Sequence, residues 1–255
     1  MRFYVLKNST LKKLTFIFIV LAILSLNIGG SCFASVFFYK PVRKIPIYRV
    51  NTETKNIALT FDAAWGSDKT LKILDELQKH EVQATFFLVG MWVDKNEDLV
   101  KKISDLGHEV ETHSNLHPDL TKKSESDIEN ELSVSKQKIE KITNKTVKFF
   151  RPPYGAYNNT VVSQAEKLGL TTIQWDVDTL DWKGISAQTI ISNALKKAKS
   201  GSIILCHNNS DNIVSALPGL ILGLKSRGYN FVTMQNLVYE GDYTVSSSGE
   251  QIKIK

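Results

Sequence analysis

Ile57, Leu59 and Phe61 lie two positions apart and predict one face of a strand. The next apolar set, Leu71, Leu74 and Leu77, is spaced for a helix. Ser67 is placed to cap its start, and it should run to about His80. Residues 84–89 predict a buried strand, followed by a helix to about Leu106 that Gly107 stops. His108–Glu111 predicts a short strand. Ser124 and Asp127 have the spacing of a capping box that opens a helix to about Ile142. The alternation continues with strands at Val147–Phe150, Thr171–Trp175, Ile203–Cys206 and Phe231–Val232. Between them lie helices ending at Gly169, spanning Ser186–Ala198, and running from Val214 to Arg227 before Gly228.

About seven strands, each followed by a helix, predict an α/β fold with a parallel sheet and right-handed crossovers. The expected architecture is a single-domain, distorted or incomplete (β/α)7-8 barrel, with its site at the C-terminal ends of the strands. A doubly wound open sheet is the alternative.

Charge changes the picture at the start of the chain. Of the net +6, four charges (Arg2, Lys7, Lys12 and Lys13) fall in residues 1–34, where no acid offsets them. From Leu14 to Tyr39 no residue is charged. A basic start, an apolar run and Cys32-Phe33-Ala34 read as a signal peptide with a small-residue cleavage site or, if uncut, a membrane anchor. The remainder is then exported, secreted to the envelope or held at the membrane by this segment. Residues 35–54 read as a linker arm, 55–240 as the functional domain and 241–255 as a polar, poorly ordered tail. Cys206 lies in an apolar run and reads as a buried, inert thiol. No zinc-finger, RNP or basic-helix pattern is present, so no nucleic-acid partner is expected. No Gly-rich phosphate loop points to nucleotide chemistry. A monomer is expected.

Reactive side chains follow the predicted strands. Asp62, then His113 and His117, then Arg151, then Asp176, Asp178 and Asp181, then His207 come after five different strands. In a parallel βα fold they share one rim. His113 and His117, at i and i+4, suit a borderline metal such as Zn²⁺, although two ligands alone bind weakly. Asp62 can be a general base if Arg151 keeps it ionised. His207 can be a general acid if a carboxylate such as Asp181 raises its pKa. Such a set is suited to hydrolysis.

Five ordered blocks carry a resemblance to a known family. They are Thr60-Phe61-Asp62, His113-Ser114-Asn115-Leu116-His117-Pro118, Arg151-Pro152-Pro153-Tyr154-Gly155, Asp178-Thr179-Leu180-Asp181-Trp182 and Leu205-Cys206-His207. Over about Lys55–Tyr239 the chain resembles the polysaccharide deacetylases of the NodB-homology type, carbohydrate esterase family 4. The wording Asp62-Ala63-Ala64-Trp65-Gly66 is closest to the PdaB-type sporulation deacetylases. The resemblance implies metal-assisted N-deacetylation of N-acetylhexosamines in cell-wall glycan, with peptidoglycan as the substrate. It implies Asp62 as base, Arg151 as its orienting partner, and His113 and His117 as ligands of a divalent metal, Zn²⁺ by preference. It further implies the Tyr154 backbone N–H at the oxyanion, Asp181 tuning the acid His207, and Trp182 and Leu205 lining the acetyl pocket. The family's first motif usually carries a second Asp as a third metal ligand, and here that position is Ala63. Weak holding by two His and waters, a substituting group, or reduced catalysis are the open consequences. Asp68 is a nearby carboxylate that nothing places on the metal. A second reading follows from Ala63: a weak or inactive glycan-binding envelope protein with a degenerate metal site.

Overall fold

A computed structural model of the 255-residue chain describes residues 12–21 and 42–254. The chain divides into two units, residues 1–43 and 44–255. In the first, residues 12–21 form a helix, α1. No helix among the described residues is long and apolar enough to cross a membrane. The expected cleavage site at Cys32–Ala34 and residues 35–41 of the expected arm lie outside the described residues.

The second unit starts with a short strand, β1 (Arg49–Val50), and then builds a curled parallel sheet. Its strands are β2 (Asn56–Ala63), β3 (Thr85–Leu88), β4 (Glu109–Thr112), β5 (Phe149–Phe150), β6 (Thr171–Thr172), β7 (Val177–Asp178) and β8 (Ile203–His207). The spatial order is β6-β5-β4-β3-β2-β8-β7. Read around a ring, this is chain order, with one gap between β6 and β7 where no pairing joins the described strands. That is an incomplete barrel, as expected, and not a doubly wound sheet. β9 (Asn230–Phe231) pairs in parallel with the first residues of β2.

Strand alternation explains the core. Ile57, Leu59, Phe61 and Ala63 of β2 and Ile204 and Cys206 of β8 join one apolar layer. Their partners there come from helices α2 (Thr70–Lys79), α5 (Glu125–Thr143) and α8 (Ile213–Lys225). Ala58, Phe87 and Ile203 join a second cluster with Ile47, Phe149 and Met234. The alternate residues Thr60, Asp62, Leu205 and His207 lie on the same side of the sheet as that second cluster, and Asp62 and His207 are at the strand ends. One face of each strand is thus wholly apolar, while the other passes from apolar packing to polar chemistry at the strand end. Cys206 is fully buried, as expected, and burial raises its thiol pKa.

Four expectations change. Ser67 does not cap α2 with its side chain; its carbonyl accepts the Thr70 N–H, and the helix starts after Lys69. The helix expected up to Leu106 is two, α3 (Gly90–Val93) and α4 (Glu97–Asp105). The strand expected at Thr171–Trp175 is only β6, after which the chain crosses the barrel gap and pairs again as β7 at the other edge. The segment read as a poorly ordered tail folds as a hairpin, β10 (Tyr243–Val245) and β11 (Glu250–Lys253). β11 also pairs with β1, so the end of the expected linker arm is part of the fold. Gln251 is fully buried there, accepting from the Tyr239 N–H and donating to its carbonyl. Gly201 lets the turn before β8 pass β1 closely: a Cβ would stand 1.7 Å from the Val50 carbonyl oxygen.

Capping at Ser124 holds as expected, its Oγ accepting the Asp127 N–H at the start of α5. The remaining helices are α6 (Asn159–Lys167), α7 (Ala187–Lys197) and α9 (Met234–Leu237).

Candidate active site

Asp62 and His207 are direct partners in the β2–β8 register, so two adjacent parallel strands deliver them side by side. Each has its own fixed partner. Arg151, which follows β5, is fully buried, and its Nη1 donates to Asp62 Oδ1 at 2.7 Å and to Thr60 Oγ1 at 2.9 Å. Its Nη2 donates to the Gln174 carbonyl at 3.2 Å, and its guanidinium lies 4.1 Å from the Phe87 ring centroid. Burial alone would raise the Asp62 pKa, but Arg151, with His113 and His207, outweighs it and holds the carboxyl below its usual range. Breaking such a pair by removing one member costs about 3–5 kcal/mol, because the other charge stays buried.

His207 is matched in the same way. Asp181 Oδ1 accepts from its Nδ1 at 2.8 Å, and Asp181 Oδ2 accepts its backbone N–H at 2.8 Å. Both carboxylate oxygens are thus used to hold one histidine. Burial lowers the imidazole pKa, yet the Asp181 hydrogen bond and charge, with Asp62 and Asp178, lift it above the ordinary value. With Nδ1 engaged, Nε2 is the atom left for proton exchange.

The loop after β4 carries His113 and His117, whose Nε2 atoms are 3.2 Å apart. His113 Nδ1 donates to the Arg151 carbonyl at 2.7 Å, and His113 Nε2 is 3.5 Å from Asp62 Oδ2. Burial keeps His113 below its ordinary pKa against the pull of Asp62; burial and His113 push His117 down to about 4. Both shifts favour the neutral imidazole, which is the form that ligates a metal. His117 has left-handed backbone, φ 60°, with its N–H on Ser114 Oγ. Its Nδ1 is buried without a hydrogen-bond partner. Three rings enclose it instead: Trp65 at 4.9 Å, Tyr154 at 4.6 Å and His113 at 4.8 Å between centroids.

Asp62, His113, His117, Tyr154, Asp181, Trp182, Leu205 and His207 line one cavity of about 630 Å³, and Arg151 lies buried behind Asp62. The size is that of a small-ligand site. Tyr154, at φ 60°, and Trp182 are largely exposed at its mouth. Asp178 lines the same cavity. Asp176 does not: it sits before β7, where it accepts from Ser202 Oγ and the Ile203 N–H at the start of β8. The rim expectation assumed a strand running through Trp175, whereas β6 ends at Thr172 and Asp176 stands at the entry to β7.

No group of three His, Cys, Asp or Glu among the described residues is placed to hold a metal ion. Ala63 joins the apolar layer, whereas Asp62 and Ala64 line the cavity. Asp68 is an exposed side chain 3.8 Å from Lys69 and is not in the cavity lining. The donor set is thus two imidazoles, short of the three or four protein ligands of a zinc centre.

Residue-type reasoning passed over several positioning groups. Glu131 of α5 accepts the Asn115 and Leu116 N–H groups at 2.9 and 2.8 Å and so holds the loop between the two histidines. Trp92 Nε1 and Asn208 Nδ2 both donate to the Gly66 carbonyl, fixing the turn that presents Trp65. Thr60 links Arg151 to the Ile204 carbonyl, and Gln174 Nε2 donates to the Gly155 carbonyl. The inward register of Thr60 was the only hint available in the sequence.

A family profile described as polysaccharide deacetylase matches residues 49–173. A peptidoglycan-N-acetylmuramic acid deacetylase of Bacillus subtilis is 37% identical over 205 residues, covering 78% of this chain and 78% of that protein. A peptidoglycan-N-acetylglucosamine deacetylase of Bacillus cereus is 38% identical over 185 residues, covering 71% and 67%. Other relatives are longer: the chain spans 61% of an uncharacterised Bacillus subtilis protein and 42% of a Listeria monocytogenes deacetylase. A solved structure, a CE4 family pseudoenzyme from Bacillus anthracis, superposes with TM-score 0.73 at 37% identity, covering 75% of this chain and 68% of that one.

Proposed function

Because this chain belongs to the polysaccharide deacetylase family, we propose that it hydrolyses the N-acetyl group of N-acetylhexosamine residues in cell-wall glycan. The observation that carries the reading is the pairing of Asp62–Arg151 and His207–Asp181 on neighbouring strands, both opening into one cavity. Asp62, held ionised, takes a proton from water as the water attacks the acetamide carbonyl. Arg151 orients Asp62 from behind. The Tyr154 backbone N–H faces the developing oxyanion, an interaction worth about 3–4 kcal/mol in such sites. His207, protonated and held by Asp181, gives its proton to the leaving amine as the C–N bond breaks. Leu205 and Trp182 enclose the acetyl methyl.

The family is in general metal-dependent, and His113 and His117 are the residues that would hold a divalent ion such as Zn²⁺. Two imidazoles fall short of a full ligand set, and the proton transfers above are assigned to Asp62 and His207 without it. The glycan is peptidoglycan, reached outside the cytoplasm after export through the N-terminal segment; the subgroup wording around Trp65 adds a role in sporulation.

Acetate release from N-acetylglucosamine oligomers or peptidoglycan tests the reading. Wild type should release it and Asp62→Asn should not; background release from both would sink the enzyme. A second reading, glycan binding with little turnover, is favoured by the missing third ligand and the likeness to a pseudoenzyme. It expects saturable glycan binding that neither a chelator nor His207→Ala alters, and chelator-sensitive turnover excludes it.

A further inference from the structure

The end of the expected linker arm fills the opening in the barrel. Ile47 bridges in parallel to Ile173, the residue after β6, and Arg49 bridges in antiparallel to Ser202, the residue before β8. The Ile47 N–H donates to the Thr172 carbonyl at 3.0 Å, and the Val50 N–H to the Gly201 carbonyl at 2.9 Å. The arm thus meets strand backbone on both sides of the gap between β6 and β7. Ile47 and Val50 are buried in one apolar cluster with Phe87, the ring that lies against the Arg151 guanidinium. One contact of the arm leads into the site: the Ile47 carbonyl accepts the Gln174 N–H at 2.7 Å. Gln174 is itself buried and makes two further bonds. Its carbonyl accepts from Arg151 Nη2 at 3.2 Å, and its Nε2 donates to the Gly155 carbonyl at 2.9 Å. The turn at Gly155 is seated closely on this segment: a Cβ there would stand 3.0 Å from the Trp175 ring and 3.2 Å from Gln174 Oε1. A single residue therefore braces both the partner of Asp62 and the turn that carries Tyr154.

We propose that Gln174 is a positioning residue of the active site, and that the arm, docked through Ile47 in the barrel gap, holds it in place. The proposal rests on the deacetylase reading above. Neither residue lines the cavity, so both act through Arg151 and the 153–155 turn. Displacing a reacting geometry by about 1 Å from a distance costs up to about 10²-fold in rate. Residues that act along one route do not add when both are changed, whereas independent losses do.

In the full chain, Gln174→Ala should lower kcat on N-acetylglucosamine oligomers by about tenfold and leave KM within about twofold. Ile47→Pro removes the N–H that bonds Thr172 and should do the same. The double variant should be no slower than the slower single one. Ser124→Ala, which removes the α5 cap far from Gln174, controls for stability: it should lower the urea midpoint and leave kcat unchanged. Amide hydrogen exchange read by mass spectrometry gives a measure independent of turnover. Peptides covering 151–156 should exchange about tenfold faster in Gln174→Ala and Ile47→Pro, while α5 peptides keep the wild-type rate. If Ile47→Pro does not fold, Ile47→Gly, which takes the buried side chain out of the gap, carries the arm test with the same expected outcome. Full kcat in Gln174→Ala, unchanged exchange at 151–156 in either single variant, or losses that multiply in the double variant overturn the proposal. If wild type releases no acetate but exchange at 151–156 responds as stated, the deacetylase reading falls and the arm's hold on the site stands.

Discussion

The two halves of the site are finished to different degrees. On the β2–β8 side, Asp62 and His207 each have a charged partner within 2.8 Å; Arg151 keeps Asp62 ionised against burial, and Asp181 favours the protonated form of His207. On the β4 side, His113 and His117 face each other with no third ligand, and His117 Nδ1 has no partner. The first half is complete within the polypeptide. The second is held in shape by ring packing and by Glu131, and lacks a donor where Ala63 turns into the apolar layer. Proton-transfer geometry can thus be complete in hydrogen bonds beside a pair of imidazoles that is short of a zinc ligand set.

The largest expected effect tests the complete half. Asp62→Asn should lower kcat by about 10²–10⁴-fold. A loss under tenfold would mean that the chemistry is not centred there. Next, Asp181→Asn should lower kcat by about 10²-fold and move the alkaline limb of the pH profile. The sign follows from Asp181 holding the His207 pKa above its ordinary value. With His207 as the proposed acid, activity should fall as pH rises through that pKa. Without Asp181 the limb should shift to lower pH, and an unmoved limb would detach His207 from the acid role.

Zinc titration addresses the incomplete half. Wild type should bind Zn²⁺ reversibly and lose it to a chelator, and His113→Ala should weaken binding at least about tenfold. One equivalent surviving prolonged chelation would reveal a third donor and dissolve the contrast. The smallest effect concerns Glu131→Gln, which replaces a charge-assisted pair of hydrogen bonds to the 115–116 loop. It should cost about 1 kcal/mol of stability, read as a lower midpoint in urea, and leave the His207 limb in place.

Much of this was legible because each feature is local. Strand and helix periods reveal themselves within ten residues, and Asp, His and Arg directly after apolar runs mark a rim. What escaped notice depends on distant partners. β6 and β7 are two residues each, too short to carry a period, and the crossing between them is imposed by where the barrel edges end. The hairpin of β10 and β11 looks polar because one of its anchors is Gln251, whose buried side-chain amide is matched by the Tyr239 backbone. Glu131 looks like any acid on a charged helix until the loop it holds is seen. Ala63 reads as a missing ligand only through the resemblance of Thr60-Phe61-Asp62 to the family's first motif; that its methyl belongs to the core needed the sheet.

The pairing of β1 with β11 also sets an order of assembly. Arg49 and Val50 bond to Glu250 and Gln251, and Arg49 Nη1 lies 2.6 Å from Glu250 Oε1. A strand near the beginning of the domain therefore waits for residues near position 250 to emerge. Loop closure on that scale makes the contact slow and late. The sheet of β1, β11 and β10 is distinct from that of the barrel strands, so the barrel can assemble first and this small sheet is the seam that residues near position 250 close.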